Sequence, residues 1–406
     1  MFLINTISTT VLGDPQEKLP LPVGISDFCL VSEKYYYVDK TLLIKDFLNE
    51  RPKVSLFARP HGFGKSLTMD MLQVFFEKTG KDTSGYFMDK KIWACGEKYQ
   101  KYQGKYPVIF LSFSDVQRST WADTYHQITQ RIVLEFERHP ELAADHFYQK
   151  IVSKNAGKTD YMTSLACLSQ MLDECHGVAP IIIIDDYDLP IQQGRVHGFY
   201  NEAVLFLRNL LVGGLKDNRH LSYGFLSGVH RVDLCGLDNM KINSILDGKY
   251  SQYFGFTSNE VRGITRYYGV QEKYDEIRSL HGGYRFGETE IYNPCSVINY
   301  FCNNRNPVEC DRNIEGVLAD TSEEIRKQLN ELLNGKPIMV LIDTGGSYLQ
   351  KSNQSSFFST LFFSGYLKTL RAIPSVTGDL ICEVTLLNKD IAKKLALIMH
   401  RLNAHP

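Results

Sequence analysis

The run Ile181-Ile182-Ile183-Ile184, leading into Asp185-Asp186, constrains the fold more than any other stretch of this chain. Four successive β-branched residues leave no alternation between core and solvent, so the strand must be covered on both faces, as central parallel strands are. Two carboxylates at its C-terminal end need pairing or a cation, because burying bare charge is costly. In open α/β sheets that end is also where ligands bind. Taken alone, the segment has a bland alternative: an N-cap or loop acid after a core strand.

A second stretch favours the ligand reading. Arg59-Pro60-His61-Gly62-Phe63-Gly64-Lys65-Ser66 follows an apolar strand candidate, Val54–Ala58. It precedes Leu67, Met71 and Phe75, spaced i, i+4, i+8 with Leu72 and Phe76 beside them, the stripe of a helix packed on a sheet. Gly62 and Gly64 allow a tight turn whose N–H groups face phosphates at a helix N-terminus. Lys65 then reaches the β- and γ-phosphates, and the Ser66 hydroxyl and Asp185 stand on the Mg²⁺ side. Asp186 is placed to orient or deprotonate an attacking water. The strict pattern asks for glycine at position 59, where this chain has arginine. The candidate ATP-binding set is Arg59, Pro60, His61, Gly62, Phe63, Gly64, Lys65, Ser66 and Leu67.

The remaining strand candidates are Pro107–Phe113 and Leu221–Ser227, separated by helical stretches around 121–138, 161–175 and 199–212. This alternation predicts an α/β fold built on a doubly wound parallel sheet. Ser227 is a candidate γ-phosphate sensor, with an ordinary strand-end hydroxyl as the alternative. From about residue 256 the texture changes to short helices rich in Tyr, Arg and Glu. The expected organisation is a loosely ordered 1–19, a nucleotide-binding core over 20–255, a helical lid over 256–318 and a small α+β, winged-helix-like module over 319–406. In that module an aromatic helix is expected over Phe357–Leu370, between strands at Pro337–Ile342 and Ile381–Leu386. Arg285, between Gly283 and Gly287, is either a γ-phosphate sensor or a salt-bridged structural arginine. Asp39 and Lys40 suit an adenine or ribose contact or a plain helix start. Tyr35-Tyr36-Tyr37 suits base stacking or strand packing.

With 406 residues, 43% of them hydrophobic, and a net charge of −1, the chain can build two or three cores. It carries no global attraction for nucleic acid or membrane. Nine scattered cysteines, with no Cys-x-x-Cys pair, suggest neither a zinc site nor a disulfide framework. Met1–Gly13 lacks a cationic start, and no apolar run has membrane-spanning length. A cytoplasmic protein is expected.

Together, Leu21–Phe28, Tyr37–Thr41, Arg59-Pro60 with Phe63–Ser66, Asp185–Asp188 with Pro190, Leu226–Val229, Gly255–Thr257, Gly283–Gly287 and Tyr292–Pro294 resemble the AAA-ATPase-like family. That resemblance covers roughly residues 20 to 390. It implies an AAA+-like P-loop ATPase in which the loop commonly opens Arg-Pro, so Lys65 and Ser66 match the Walker A pair and Asp185 the Walker B aspartate. Asp186 stands where the family usually has Glu. Relatives often continue into a PD-(D/E)XK nuclease; after Leu387–Asp390 no Asp followed by Glu-x-Lys remains, so no intrinsic nuclease activity is expected.

The function expected is an ATP-binding, Mg²⁺-dependent ATP hydrolase acting as a switch or oligomeric motor on a protein partner or on copies of itself. The alternatives are a nucleotide-binding scaffold without turnover and a P-loop small-molecule kinase; the paired carboxylates suit water better than a substrate hydroxyl. Lys389, Lys393, Lys394 and Arg401 form either a nucleic-acid patch or a solvated helix face.

Overall fold

The computed structural model describes residues 18–302, 312–319, 321–350, 353–376 and 378–404. Most of the segment 1–19, expected to be loosely ordered, lies outside them. Five parallel strands form the central sheet: β1 (Val54–Ala58), β2 (Val108–Ser112), β3 (Ile181–Asp185), β4 (Tyr223–Gly228) and β5 (Met240–Asn243), in the order β2-β3-β4-β1-β5. Every residue of β1 and β3 is buried, so both faces of those strands are covered. The helix Lys65–Phe76 packs against β3 and β4, and Trp121–Glu137 against β2. Because β4 lies between β1 and β3, the loop after β1 and the acids at the end of β3 flank the C-terminal end of β4.

Beyond the central sheet, the segment expected as a helical lid carries strands as well as helices. The short strands β6 (Phe256–Thr257), β7 (Tyr284–Phe286) and β8 (Thr289–Tyr292) form an antiparallel sheet in the order β6-β8-β7. It lies among the helices Ser258–Tyr268, Tyr274–His281 and Pro294–Phe301. Thr257 and Glu260 close the first of these with a reciprocal capping box.

The C-terminal part carries the helix Glu323–Leu333, β9 (Ile338–Ile342), the helix Gln354–Phe363, the hairpin β10 (Leu367–Pro374) and β11 (Leu380–Leu386), and the helix Lys389–Ala404. Its sheet is antiparallel, in the order β10-β11-β9. The aromatic helix expected to reach Leu370 stops at Phe363 instead. Gly365 adopts φ +81°, and a Cβ there would lie 2.9 Å from the Tyr284 ring, so the chain turns left-handed and re-enters as β10.

Side-chain links from His230 and Arg195 join this part to the region built on the central sheet. His230 Nδ1 lies 3.0 Å from the Tyr348 hydroxyl, both groups buried. Arg195 donates to Thr360 Oγ1 at 2.7 Å and to Ser356 Oγ at 3.0 Å.

Candidate functional site

The loop that leaves β1 is tied to β4 from its first residue, Arg59 N donating to the Gly228 carbonyl at 2.9 Å. Gly62 and Gly64 take φ of +81° and +75°, a region that side chains disfavour. The helix Lys65–Phe76 starts immediately after Gly64. Its first-turn N–H groups have no partners within the helix and carry the positive end of its dipole.

Lys65 is buried, its Nζ 3.4 Å from the Pro60 carbonyl and 3.8 Å from Asp186 Oδ1. Asp185, also buried, accepts from the hydroxyls of Ser227 and Ser66. Burial first, and then the charge of Asp186, push its carboxyl up; the two hydroxyls and Lys65 oppose the rise. Asp186 sits at φ 50°, an uncommon conformation for a residue with a side chain and of a kind that clusters at functional sites. A hydroxyl and a carboxylate in contact at a helix N-terminus are hard oxygen ligands of the kind Mg²⁺ takes alongside phosphate oxygens. Ser66 and Asp185 therefore fit a magnesium ion.

The loop opens onto a cleft of about 260 Å³. Lys65, Ser66 and Asp186 line one part of it, and Ile25, Tyr36, Val38, Phe256 and Ile298 give it apolar walls. The segment from Leu19 to Ser26 crosses one side as a strap. It is held by Tyr36 N on the Pro20 carbonyl at 2.9 Å and by Tyr267 and Tyr268, whose hydroxyls bond Leu19 N and O at 2.8 and 2.7 Å.

A family model described as predicted AAA-ATPase matches residues 22–238, more than half of the chain. The chain belongs to this family. A search of curated proteins gives no match. The AAA-ATPase-like region contains the loop, Asp185, Asp186 and Ser227, and it supports nucleotide binding in general terms. It ends before β5, the small sheet and Arg285.

Within the AAA-ATPase-like region not every expected residue faces the cleft. Arg59 is wholly buried, donating to the carbonyls of Ala58 and Asn243 at 2.9 and 2.7 Å and stacking on Phe254 and Phe286. Burial pushes its guanidinium down to about 9, against the pull of Asp247. A guanidinium held this way is a structural pin and does not line the cleft. The Phe63 ring packs against Tyr284 and Phe286, with centroids 4.9 and 5.0 Å away, and anchors the loop. Ser227 lies behind Asp185. Its hydroxyl is directed at the Asp185 carboxylate, a placement different from a direct phosphate contact.

Arg285 is not brought to the site. Its neighbours Tyr284 and Phe286 point inward to Phe63, so strand alternation turns Arg285 outward, 70% exposed and 3.8 Å from Glu288. Pro60 contributes its carbonyl to Lys65, while His61 and Leu67 line the cleft. Lys40 lines it too, but it is committed to Glu260, at 2.6 Å, and to the Gln252 carbonyl, at 2.7 Å. Asp39 caps Thr41 and accepts from Lys91 N. Tyr36 faces the cleft, and Tyr37 packs edge-on against Phe28.

Two site residues escaped the sequence reading. Asp188 is buried and accepts from the amides of Val229 and His230 at 3.1 and 2.7 Å and from Gln192 at 2.8 Å. Burial pushes its carboxyl up to about 6, with the His230 amide opposing. The third acid of Asp185-Asp186-Tyr187-Asp188 was the available signal. Asn293 bonds the loop from the start of the helix Pro294–Phe301, and Asn-Pro followed by an apolar stretch is a helix-start signature.

Proposed function

We propose that this chain binds ATP with Mg²⁺, hydrolyses it slowly, and passes the nucleotide state to its C-terminal part. The observation that supports this reading is the convergence of Lys65, Ser66, Asp185, Ser227 and Asp186 on the C-terminal end of adjacent strands. Lys65 and the loop amides bind the phosphates. The apolar walls of the cleft suit a purine ring. A magnesium ion held by Ser66 and Asp185 would supply charge compensation to the β- and γ-phosphates. Ser227 keeps Asp185 oriented. Asp186, in the cleft beside Lys65, positions the attacking water and accepts its proton.

A second reading, binding without turnover, is favoured by the identity of Asp186. It is one methylene shorter than the glutamate usual in the resembling family, and a misplacement of about 1 Å can cost about 10²-fold in rate. Phosphate release by the full chain, with and without Mg²⁺ and beside Lys65→Ala, separates the two. Mg²⁺-dependent release that the variant lacks supports hydrolysis; tight ATP binding with no release above the variant's supports the scaffold. The two acids should also behave differently. Asp186→Asn is expected to leave ATP affinity within about threefold while abolishing release, since it removes a base and not a ligand. Asp185→Asn is expected to weaken Mg²⁺-dependent binding. Equal effects on affinity would overturn this division of roles.

The switch reading rests on the links beyond β4. Asp188 fixes the amides of Val229 and His230, His230 meets Tyr348, and Arg195 meets Ser356 and Thr360. A shift at Ser227 thus has a short buried route into the C-terminal helices, and partner protein or self-assembly is where that shift would act. The helix-strand-helix-hairpin order is winged-helix-like, yet the second helix is buried from Ser356 to Phe363 and offers no face to a groove. On the last helix Lys394 lies 3.8 Å from Asp390 and Arg401 lies 3.9 Å from Glu315, which dilutes the basic patch. No described helix is long and apolar enough to cross a membrane.

A further inference from the structure

Three successive residues of the phosphate loop are gripped from the small sheet and the helix that follows it. Asn293 Nδ2 donates to the His61 carbonyl at 3.0 Å, Cys295 N donates to the Gly62 carbonyl at 3.4 Å, and the Phe63 ring is packed against Tyr284 and Phe286. Asn293 has a second task. It is the N-cap of the helix Pro294–Phe301, its Oδ1 accepting from Ser296 N at 3.3 Å. The contact with the loop is close: a Cβ on Gly62 would lie 2.8 Å from Asn293 Oδ1 and 3.0 Å from Nδ2. Asn293 is itself buried.

A trans peptide is planar, with its C=O and the following N–H pointing in opposite directions. Pinning the His61 carbonyl on Asn293 therefore turns the Gly62 N–H away from Asn293. Pinning the Gly62 carbonyl on Cys295 does the same for the Phe63 N–H. The geometry points to Asn293 as a positioning residue for the phosphate loop, one that sets which way its amides face a polyphosphate and ties that orientation to the helix Pro294–Phe301. This inference rests on the nucleotide-binding reading of the same site. It adds a residue that lies outside the region matched to the family.

Two substitutions separate loop positioning from helix capping. Asn293→Ser keeps a capping oxygen and replaces the amide that donates to His61 with a shorter hydroxyl; Asn293→Asp keeps the cap and faces the His61 carbonyl with an acceptor. ATP, ADP and AMP would be titrated calorimetrically, with Mg²⁺, into the full-length wild type and both variants, beside thermal melts without nucleotide. The expected result is melting close to wild type with ATP Kd raised about tenfold or more. The loss should be smaller for ADP and near zero for AMP, and larger for Asn293→Asp than for Asn293→Ser. Unchanged ATP affinity in both variants overturns the proposal. So does an equal loss for all three nucleotides accompanied by lower melting, which would leave Asn293 a purely structural cap. If wild type itself binds none of the three, the nucleotide-binding reading falls and this inference falls with it.

Discussion

Lys65→Ala is expected to weaken ATP binding by tenfold or more, at least 1.4 kcal/mol. Arg59 is committed to main-chain carbonyls and Lys40 to Glu260, so among Arg59–Leu67 only Lys65 brings a permanent charge to the cleft. Its substitution removes the one full charge that the loop offers to the β- and γ-phosphates, and it leaves Asp186 facing them without its cation. Far-ultraviolet circular dichroism should be unchanged, because the Lys65 ammonium's polar contacts are long, 3.4 Å to the Pro60 carbonyl and 3.8 Å to Asp186. Titration with a fluorescent ATP analogue measures the loss. Equal binding by wild type and variant would show that the loop does not hold phosphate.

Arg59→Ala should act on stability, with a cost of about 3 kcal/mol. The side chain is among the largest fully buried groups of the molecule, and it fills the space between Phe254 and Phe286. Truncation leaves a cavity there and deprives the buried Asn243 carbonyl of its 2.7 Å donor. Arg59→Lys should recover little, since an ammonium group cannot stack on two rings while donating in a plane. Thermal melts without nucleotide read the effect. A variant that melts like wild type yet loses ATP affinity would return Arg59 to the phosphate-binding set.

The features most legible in the sequence were those imposed by strong local chemistry. The isoleucine run had to be a covered strand, and glycines followed by Lys65-Ser66 had to open a helix. β5 is weakly marked in the sequence because Met240-Lys241-Ile242-Asn243 is only four residues long, too short for its apolar and polar alternation to stand out. β10 reads in sequence as the end of a helix because its residues are mixed in character, and the break falls at Gly365, whose left-handed φ of +81° ends the helix. Arg59 illustrates the limit at the site: its neighbours in sequence suggest a phosphate, while all its partners in space but the Ala58 carbonyl are carbonyls and rings more than 180 residues away. The inward and outward alternation of Tyr284-Arg285-Phe286 was equally hidden, because it depends on which face of the small sheet meets Phe63. Asn293 carried a helix-start signal, but its bond to His61 spans 232 residues.

The strap over the cleft has a consequence for how the chain comes off the ribosome. Its bonds to Tyr267 and Tyr268 join residues 248 and 249 positions apart. The cleft also needs Pro294 and Ile298 for a wall. At ribosomal rates of about 5–20 residues per second, the first wall of the pocket waits tens of seconds for the last. During that interval the helix Lys65–Phe76 and the loop before it have no closed site in which to hold a nucleotide. A nucleotide bound as proposed can therefore favour the native chain only after synthesis has passed the helix Pro294–Phe301, and the early folding of the central sheet must rest on its own isoleucines and phenylalanines.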